Sequence, residues 1–80
     1  MNPGTQTHAV LGVLLAGQRI TPIDALSRFG CFRLGARIYD LRQEGYQIER
    51  DMIEVSEDTR IAAYWMTQEA RAEARKRGAV

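Results

Sequence analysis

Arginine side chains recur at short intervals between positions 28 and 42 of this 80-residue chain. Arg33 and Arg37 are four residues apart, a spacing that puts both on one side of a helix. A guanidinium can donate two parallel hydrogen bonds to O6 and N7 of guanine, and it also binds phosphate oxygens. Ala36 lies between them and is small enough to let a helix approach a groove closely. The pattern indicates a helix side that contacts nucleic acid.

Three further side chains extend this candidate site. Phe32 is expected to contact the methyl group of thymine, and Arg28 and Arg42 are expected to bind phosphates beside the groove. The alternative interpretation is an ordinary solvated helix face. In that case Arg37 pairs with Asp40 and stabilises the helix by roughly 0.2–0.5 kcal/mol.

The segment before this helix carries the start and stop signals of another short helix. Thr21 is an N-cap candidate, Pro22 occupies the first helical position, and Asp24 lies in the first turn. Gly30 can adopt a left-handed conformation at little cost and so turn the chain. A short helix and a tight turn therefore lead into the arginine-bearing helix.

The arginine-bearing helix is predicted from about residue 32 to residue 44. Leu34, Ile38 and Leu41 share one side of it, which we expect to be buried. Gly35 would weaken such a helix by about 1 kcal/mol relative to alanine, so we expect another backbone to approach closely there. Helix, turn and helix in this order predict a helix-turn-helix.

Helices are also predicted near both ends of the chain. Thr5 or Thr7 is expected to cap a first helix that extends to about Ala16. Its inner side consists of apolar residues at helical spacing: Val10, Leu11, Leu14 and Leu15. A last helix, capped by Thr67, is predicted over residues 68–76. Its apolar content is almost only alanine, so we expect it to gain little by packing.

A β-hairpin is predicted between the arginine-bearing helix and the last helix. Its strands are residues 46–55 and 60–66, separated by a polar turn. Apolar residues in the first strand occupy both phases of the strand, a conflict that a β-bulge would reconcile. In the second strand we expect Ala62, Tyr64 and Met66 to face inward.

Charge is unevenly distributed, although the net charge is only +1. The basic ends flank an acidic hairpin, whose carboxylates are Glu49, Asp51, Glu54, Glu57 and Asp58. A hairpin that lies on phosphates should be basic, so this one either points away from DNA or contacts a protein. It could equally be a solvated hairpin with a charged edge strand.

The C-terminal segment carries a group of cations: Arg71, Arg75, Lys76 and Arg77. They are candidates for electrostatic contacts with a DNA backbone. The alternative is a solubilising helix end, in which cations lie near the negative end of the helix dipole.

Several classes of protein are excluded by what the sequence lacks. Cys31 is the one cysteine, which rules out an internal disulfide and fits a reducing compartment. No apolar run reaches the ~18 residues of a membrane span, and no signal peptide is expected. His8 is the one histidine, and neither metal-ligand spacing nor a phosphate-binding glycine loop occurs. We therefore expect no enzyme, no metal and no cofactor.

The order helix, short extended step, helix, helix and hairpin is that of a winged helix-turn-helix. The sequence resembles the small helix-turn-helix domain proteins of phages and prophages over about residues 5–66. The matching residues are Ile20-Thr21-Pro22, Asp24-Ala25-Leu26, Phe29-Gly30-Cys31, Arg33-Leu34, Ala36-Arg37-Ile38, Asp40-Leu41-Arg42 and Gly45-Tyr46. The resemblance implies the fold and, because most members are assigned by fold, the expectation of DNA binding.

We therefore expect a mainly α fold with a small β-hairpin, in which residues 1–66 form a winged helix-turn-helix domain and residues 67–80 a basic helix or tail. The expected function is sequence-specific binding of double-stranded DNA by a phage or prophage transcriptional regulator in the bacterial cytoplasm. A homodimer would supply two copies of a domain with a small footprint. The alternative is a protein-interaction module on the same fold. Such a phage-encoded inhibitor or adaptor would bind a host protein through the acidic hairpin and exposed candidates such as Trp65.

Overall fold

The computed structural model describes residues 3–78. The elements are, in order, α1 (Pro3–Leu15), α2 (Pro22–Phe29), α3 (Leu34–Gln43), β1 (Glu49–Ser56), β2 (Thr59–Trp65) and α4 (Gln68–Lys76). The predicted architecture is confirmed: three helices form the core, a hairpin follows them, and a further helix ends the fold. Residues 1–2 of the predicted domain and residues 79–80 of the predicted tail lie outside the described residues. The division at residue 66 stays a prediction.

One apolar core joins the three N-terminal helices to the hairpin. Its largest fully buried side chains are those of Leu14, Ile20, Ile38, Leu41, Val10 and Cys31. Burying a leucine or isoleucine side chain stabilises a fold by about 1.5–3 kcal/mol. No polar or charged residue within the described range is buried, so the side chains of the interior pack by apolar contact.

β1 and β2 form an antiparallel hairpin, and one residue from outside the hairpin, Ile20, pairs with the other edge of β2. The register shifts between Glu54 and Ser56, at the hairpin tip. The predicted bulge between the two apolar phases is wrong in position, because the pairing is regular past Met52 and Ile53, and Met52 and Val55 both stay more than half exposed. On the other edge of β2, Ile20 and Tyr64 exchange two backbone hydrogen bonds of 2.8 and 2.9 Å. The short extended step before α2 therefore pairs with the hairpin and ties it to the helices.

The second strand faces the core as predicted. Tyr64 and Met66 are buried, and Ala62 is partly buried against the same core. The sequence analysis expects Trp65 to be exposed and available to a partner. This expectation is wrong, because the Trp65 side chain is half-buried. The guanidinium of Arg19 lies 5.2 Å from the centroid of the Trp65 ring and forms a 2.8 Å ion pair with Asp51. The aromatic ring is thus covered from within the chain.

The boundaries of α1 and of both strands differ from the predicted ones. α1 begins at Pro3, so Thr5 and Thr7 lie inside the helix and do not cap it. Proline suits the first helical position because its missing N–H has no partner to lose there. The strands cover residues 49–56 and 59–65 rather than 46–55 and 60–66.

The last helix packs more closely than its composition predicts. Thr67 caps it as expected, since its hydroxyl accepts a 3.0 Å hydrogen bond from the Ala70 N–H. The expectation of little packing is wrong, because Ala70 and Ala74 are both buried. Small side chains let the helix lie close to the core.

None of the described helices is long and apolar enough to span a membrane.

Candidate nucleic-acid interface

The turn between α2 and α3 has the geometry that its residues predict. Thr21 and Asp24 form a reciprocal capping box, with hydrogen bonds of 3.2 and 3.0 Å between each backbone N–H and the other side chain. Gly30 ends α2 in the left-handed conformation, with φ of 64°. The next N–H, of Cys31, donates to the carbonyl of Ala25 at 3.1 Å. The turn therefore sets the orientation of α3 relative to α2.

Burial of one side of α3 determines which side faces the solvent. Leu34, Ile38 and Leu41 are at most 2% exposed, as predicted. The exposed residues of the helix are Gly35, Tyr39, Arg42 and Gln43. The half-buried ones are Ala36, Arg37 and Asp40. The side of α3 that faces solvent is therefore not the side on which the sequence analysis placed Arg37.

α3 is also shorter than predicted, since it runs from Leu34 to Gln43 rather than over residues 32–44. Arg33 is its N-cap residue, with φ −130° and ψ 62°, outside the helical region. The chain leaves helical geometry here because it must turn after Gly30 and still bury Leu34. Phe32 and Arg33 thus belong to the turn that precedes the helix.

Three predicted site residues surround the N-terminal end of α3. Phe32 is 85% exposed, the largest exposure among the described large apolar side chains. Arg33 is exposed and makes no side-chain capping bond. Arg28 is exposed at the end of α2, with its guanidinium 5.2 Å from the centroid of the Phe29 ring. An aromatic ring and two cations are therefore open to a ligand at this end.

Two other predicted site residues have partners within the chain. The Arg37 side chain is only 16% exposed, and its Nε lies 3.3 Å from Oδ2 of Asp40. This is the pair that the alternative interpretation expects. Arg42 donates a 2.7 Å hydrogen bond from Nη2 to the carbonyl of Ile48 and so joins the end of α3 to the start of β1. Contacts of either side chain with DNA stay predictions.

The sequence analysis missed Tyr39 and Gln43, which lie on the open side of α3. Tyr39 is 62% exposed. The signal was present, because a rotation of ~100° per residue puts both residues opposite the buried leucine and isoleucine side chains. Gly35 also differs from expectation. A Cβ added there would meet nothing within 4 Å, so no backbone within the described part of the chain approaches it.

The C-terminal arginines hold backbone carbonyls of the core helices. Arg75 Nη2 donates to the Leu15 carbonyl at 2.8 Å. Arg77 donates to the carbonyls of Glu44 at 2.7 Å and Gly45 at 3.2 Å. Arg71 bonds within its own helix, through Nε to the Thr67 carbonyl at 3.4 Å, whereas Lys76 is exposed. Phosphate contacts of these four cations stay predictions.

The acidic hairpin keeps most of its carboxylates in solvent. Asp51 pairs with Arg19, whereas Glu54, Glu57 and Asp58 are exposed around the tip. Arg60 is the cross-strand neighbour of Glu54. The tip is therefore a surface of negative charge, which would repel phosphates.

The histidine and the cysteine, the two residues considered for catalysis, have different surroundings. His8 lies on an open groove of about 360 Å³ between α1 and α3, which Asp40 and Glu44 also line. Cys31 is buried in the core. No group of three or more histidine, cysteine or carboxylate side chains within residues 3–78 is arranged to hold a metal ion.

Three packed helices, a left-handed turn before the third and a hairpin after it define the winged helix-turn-helix class, whose members generally bind DNA and are not enzymes. A family model described as a winged helix-turn-helix domain matches residues 5–69. The chain therefore belongs to the winged helix-turn-helix domain family. No curated protein and no solved structure matches it.

Proposed function

We propose that this chain binds a specific double-stranded DNA site by placing the N-terminal half of α3 in the major groove. The observation that carries the proposal is the exposure of Phe32 and Arg33 at the start of a helix whose other side is locked into the core. The first turns of such a helix are the part that reaches base edges. Family membership supports the same ligand class.

The side chains divide into those that read bases and those that fix the register. Arg33 is assigned to a guanine, because it is exposed and no capping bond holds it. Arg28 and Arg42 are assigned to phosphates beside the groove. Arg37 contributes to DNA binding if its pair with Asp40 opens when DNA binds. Ala36 is half-buried and keeps the surface of the helix low between Arg33 and Arg37.

Substitution of Arg33 tests the proposal. A duplex selected from a random-sequence pool is titrated by fluorescence anisotropy against the wild type, Arg33→Ala and Arg50→Ala. Arg50 is a matched control, since it is also an exposed arginine but lies on the hairpin. Arg33→Ala should lower affinity roughly 5–150-fold and relax specificity at one base pair, while Arg50→Ala should change it little. Unchanged affinity of Arg33→Ala/Arg37→Ala at low salt would contradict the proposal.

We further propose that the chain acts without a cofactor as a transcriptional regulator of a phage or prophage, in the bacterial cytoplasm. This rests on the resemblance of residues 20–46 to small phage and prophage helix-turn-helix proteins. The small footprint of one domain favours a homodimer on two half-sites. Sedimentation with and without the selected duplex measures the stoichiometry, and a strict monomer at high concentration in both samples would exclude the dimer.

A second candidate function is supported by the hairpin tip. Val55 is 53% exposed beside the carboxylates of Glu54 and Glu57, a combination suited to a basic protein partner rather than to DNA. Glu54→Lys/Glu57→Lys and the wild type are compared in capture from host lysate, and the DNA affinity of both is measured. Loss of a specific partner with retained DNA affinity supports the protein-interaction module, and absence of any partner from both samples excludes it.

A further inference from the structure

An aromatic face, defined here as Phe32, Gly35, Ala36 and Tyr39, consists of the turn residue that precedes α3 and one exposed side of the N-terminal half of the helix. Its rings belong to Phe32, which is 85% exposed, and Tyr39, which is 62% exposed. Water-exposed aromatic rings bury a large apolar area when a partner covers them. Gly35 and Ala36 lie three and four residues before Tyr39, on the same side of α3, and carry no large side chain, so this side of the helix is low.

Gly35 is the second observation that points to an outside partner. A glycine inside a helix costs about 0.5–1 kcal/mol relative to alanine. Here neither the backbone nor the packing demands it, since its φ is not positive and a Cβ would meet nothing among residues 3–78 within 4 Å. A glycine at this position would let a partner molecule approach the backbone of α3 closely.

Charge complementarity identifies the chemistry of that partner. Exposed cations are close to the aromatic face along the chain: Arg28 in α2, Arg33 directly after Phe32, and Arg42 three residues after Tyr39. The one carboxylate in α3, that of Asp40, is drawn toward Arg37. An apolar centre with a cationic border matches the major groove, where phosphates line the sides and base edges form the floor. The apolar group on that floor is the C5-methyl group of thymine.

We propose that the aromatic face reads C5-methyl groups of pyrimidines, so that a 5-methylcytosine at the contacted position is bound in preference to cytosine. This rests on the proposed binding of duplex DNA and names the chemical group that the bound site must present. Phe32 and Tyr39 supply the apolar contact, and Gly35 lets the helix come close enough to make it. The methyl of 5-methylcytosine occupies the same place on the groove floor as that of thymine, so the face distinguishes methylated from unmethylated cytosine.

Synthetic duplexes that differ by one methyl group test this directly. In the selected site, each thymine is replaced by uracil in turn, and affinity is measured by fluorescence anisotropy. At a contacted thymine the change should lower affinity about fourfold, the effect of one buried methyl group. At the same position, a duplex with 5-methylcytosine opposite guanine should bind about fourfold more tightly than one with cytosine opposite guanine.

Protein variants then assign the effect to the two rings. In Phe32→Ala and Tyr39→Ala the uracil penalty should shrink toward zero at the position that each ring contacts. Met52→Ala, which removes a 54% exposed apolar side chain from the hairpin, should keep the full penalty. Thermal unfolding of all three variants confirms folding, which substitution of such exposed residues should preserve.

The outcomes separate this inference from the proposed function. If no selected duplex binds, the DNA-binding function itself is wrong. If duplexes bind but uracil and 5-methylcytosine change nothing, DNA binding stands and methyl reading is overturned. Equal affinity for the corresponding single strand, reduced by Phe32→Ala, would also overturn it, because the rings would then be stacking on unpaired bases.

Discussion

Arg33 and Arg37 are the same residue type at helical spacing, yet their surroundings differ. Arg33 precedes α3 as an exposed N-cap residue, while the Arg37 side chain is 16% exposed and paired with Asp40. The methylene groups of a half-buried arginine pack on apolar neighbours even when its charge stays near solvent. Arg33 is therefore assigned mainly to DNA contact, whereas Arg37 also contributes to stability.

Alanine substitutions separate these two contributions. Arg37→Ala should lower the free energy of unfolding by about 1–2 kcal/mol, because it removes buried methylene groups. Arg33→Ala should change it by less than about 0.5 kcal/mol, as is usual for an exposed position. Urea denaturation followed by circular dichroism measures both, and equal values for the two variants would contradict the assignment.

At the scale of elements, α2 depends on its two ends. It has eight residues, too few to be stable without caps and packing. Thr21→Ala removes the side-chain oxygen that accepts the Asp24 N–H, and it should cost about 1 kcal/mol of stability. Ser27→Ala, at an exposed position in the same helix, is the control and should cost nothing. A thermal unfolding midpoint of Thr21→Ala equal to that of Ser27→Ala would show that the capping box contributes little.

α4 stabilises the C-terminal end of α3 through one side chain. Arg77 donates to the carbonyls of Glu44 and Gly45, and its guanidinium lies 5.2 Å from the centroid of the Tyr46 ring. Helix ends leave such carbonyls without intrahelical partners.

Removal of this contact has a matched control in the neighbouring cation. Arg77→Ala should lower stability by about 1 kcal/mol, a modest value because the hydrogen bonds are exposed to solvent. Lys76→Ala removes the same charge from an exposed position and should have almost no effect. Equal denaturation midpoints for the two variants would refute a specific role for Arg77.

At the scale of the whole molecule, the sign of the charge separates two surfaces. Cations surround the start of α3, and the hairpin tip is acidic. Few cations are therefore available for phosphates, and the tip should stay off the DNA. A net charge of +1 gives little general attraction to DNA.

The salt dependence of DNA binding tests this separation. With Arg28 and Arg42 as the phosphate contacts of one domain, log affinity should fall against log salt concentration with a slope of about −2 per bound domain. Glu57→Gln should leave the slope unchanged, since the tip does not touch phosphates. Anisotropy titrations at several salt concentrations measure it, and a slope altered by Glu57→Gln would place the hairpin on the DNA.

The amino-acid sequence by itself determined the features that depend on neighbouring residues. Thr21, Pro22 and Asp24 mark the start of α2, and Gly30 marks its end, because caps and left-handed turns are local interactions. The buried side of α3 follows from helical periodicity alone. These local signals were sufficient for the winged helix-turn-helix architecture.

Only the tertiary structure decided which arginines are held by distant backbone carbonyls of the same chain. Arg75 is 60 residues from the Leu15 carbonyl that it binds, and Arg77 is 33 residues from Glu44. No local pattern predicts such contacts, because chain folding alone brings the partners together. Packing also left the Arg37 side chain only 16% exposed, although helical spacing predicts the same exposure for it as for Arg33. The rotation of a helix about its axis is set by the core against which it packs.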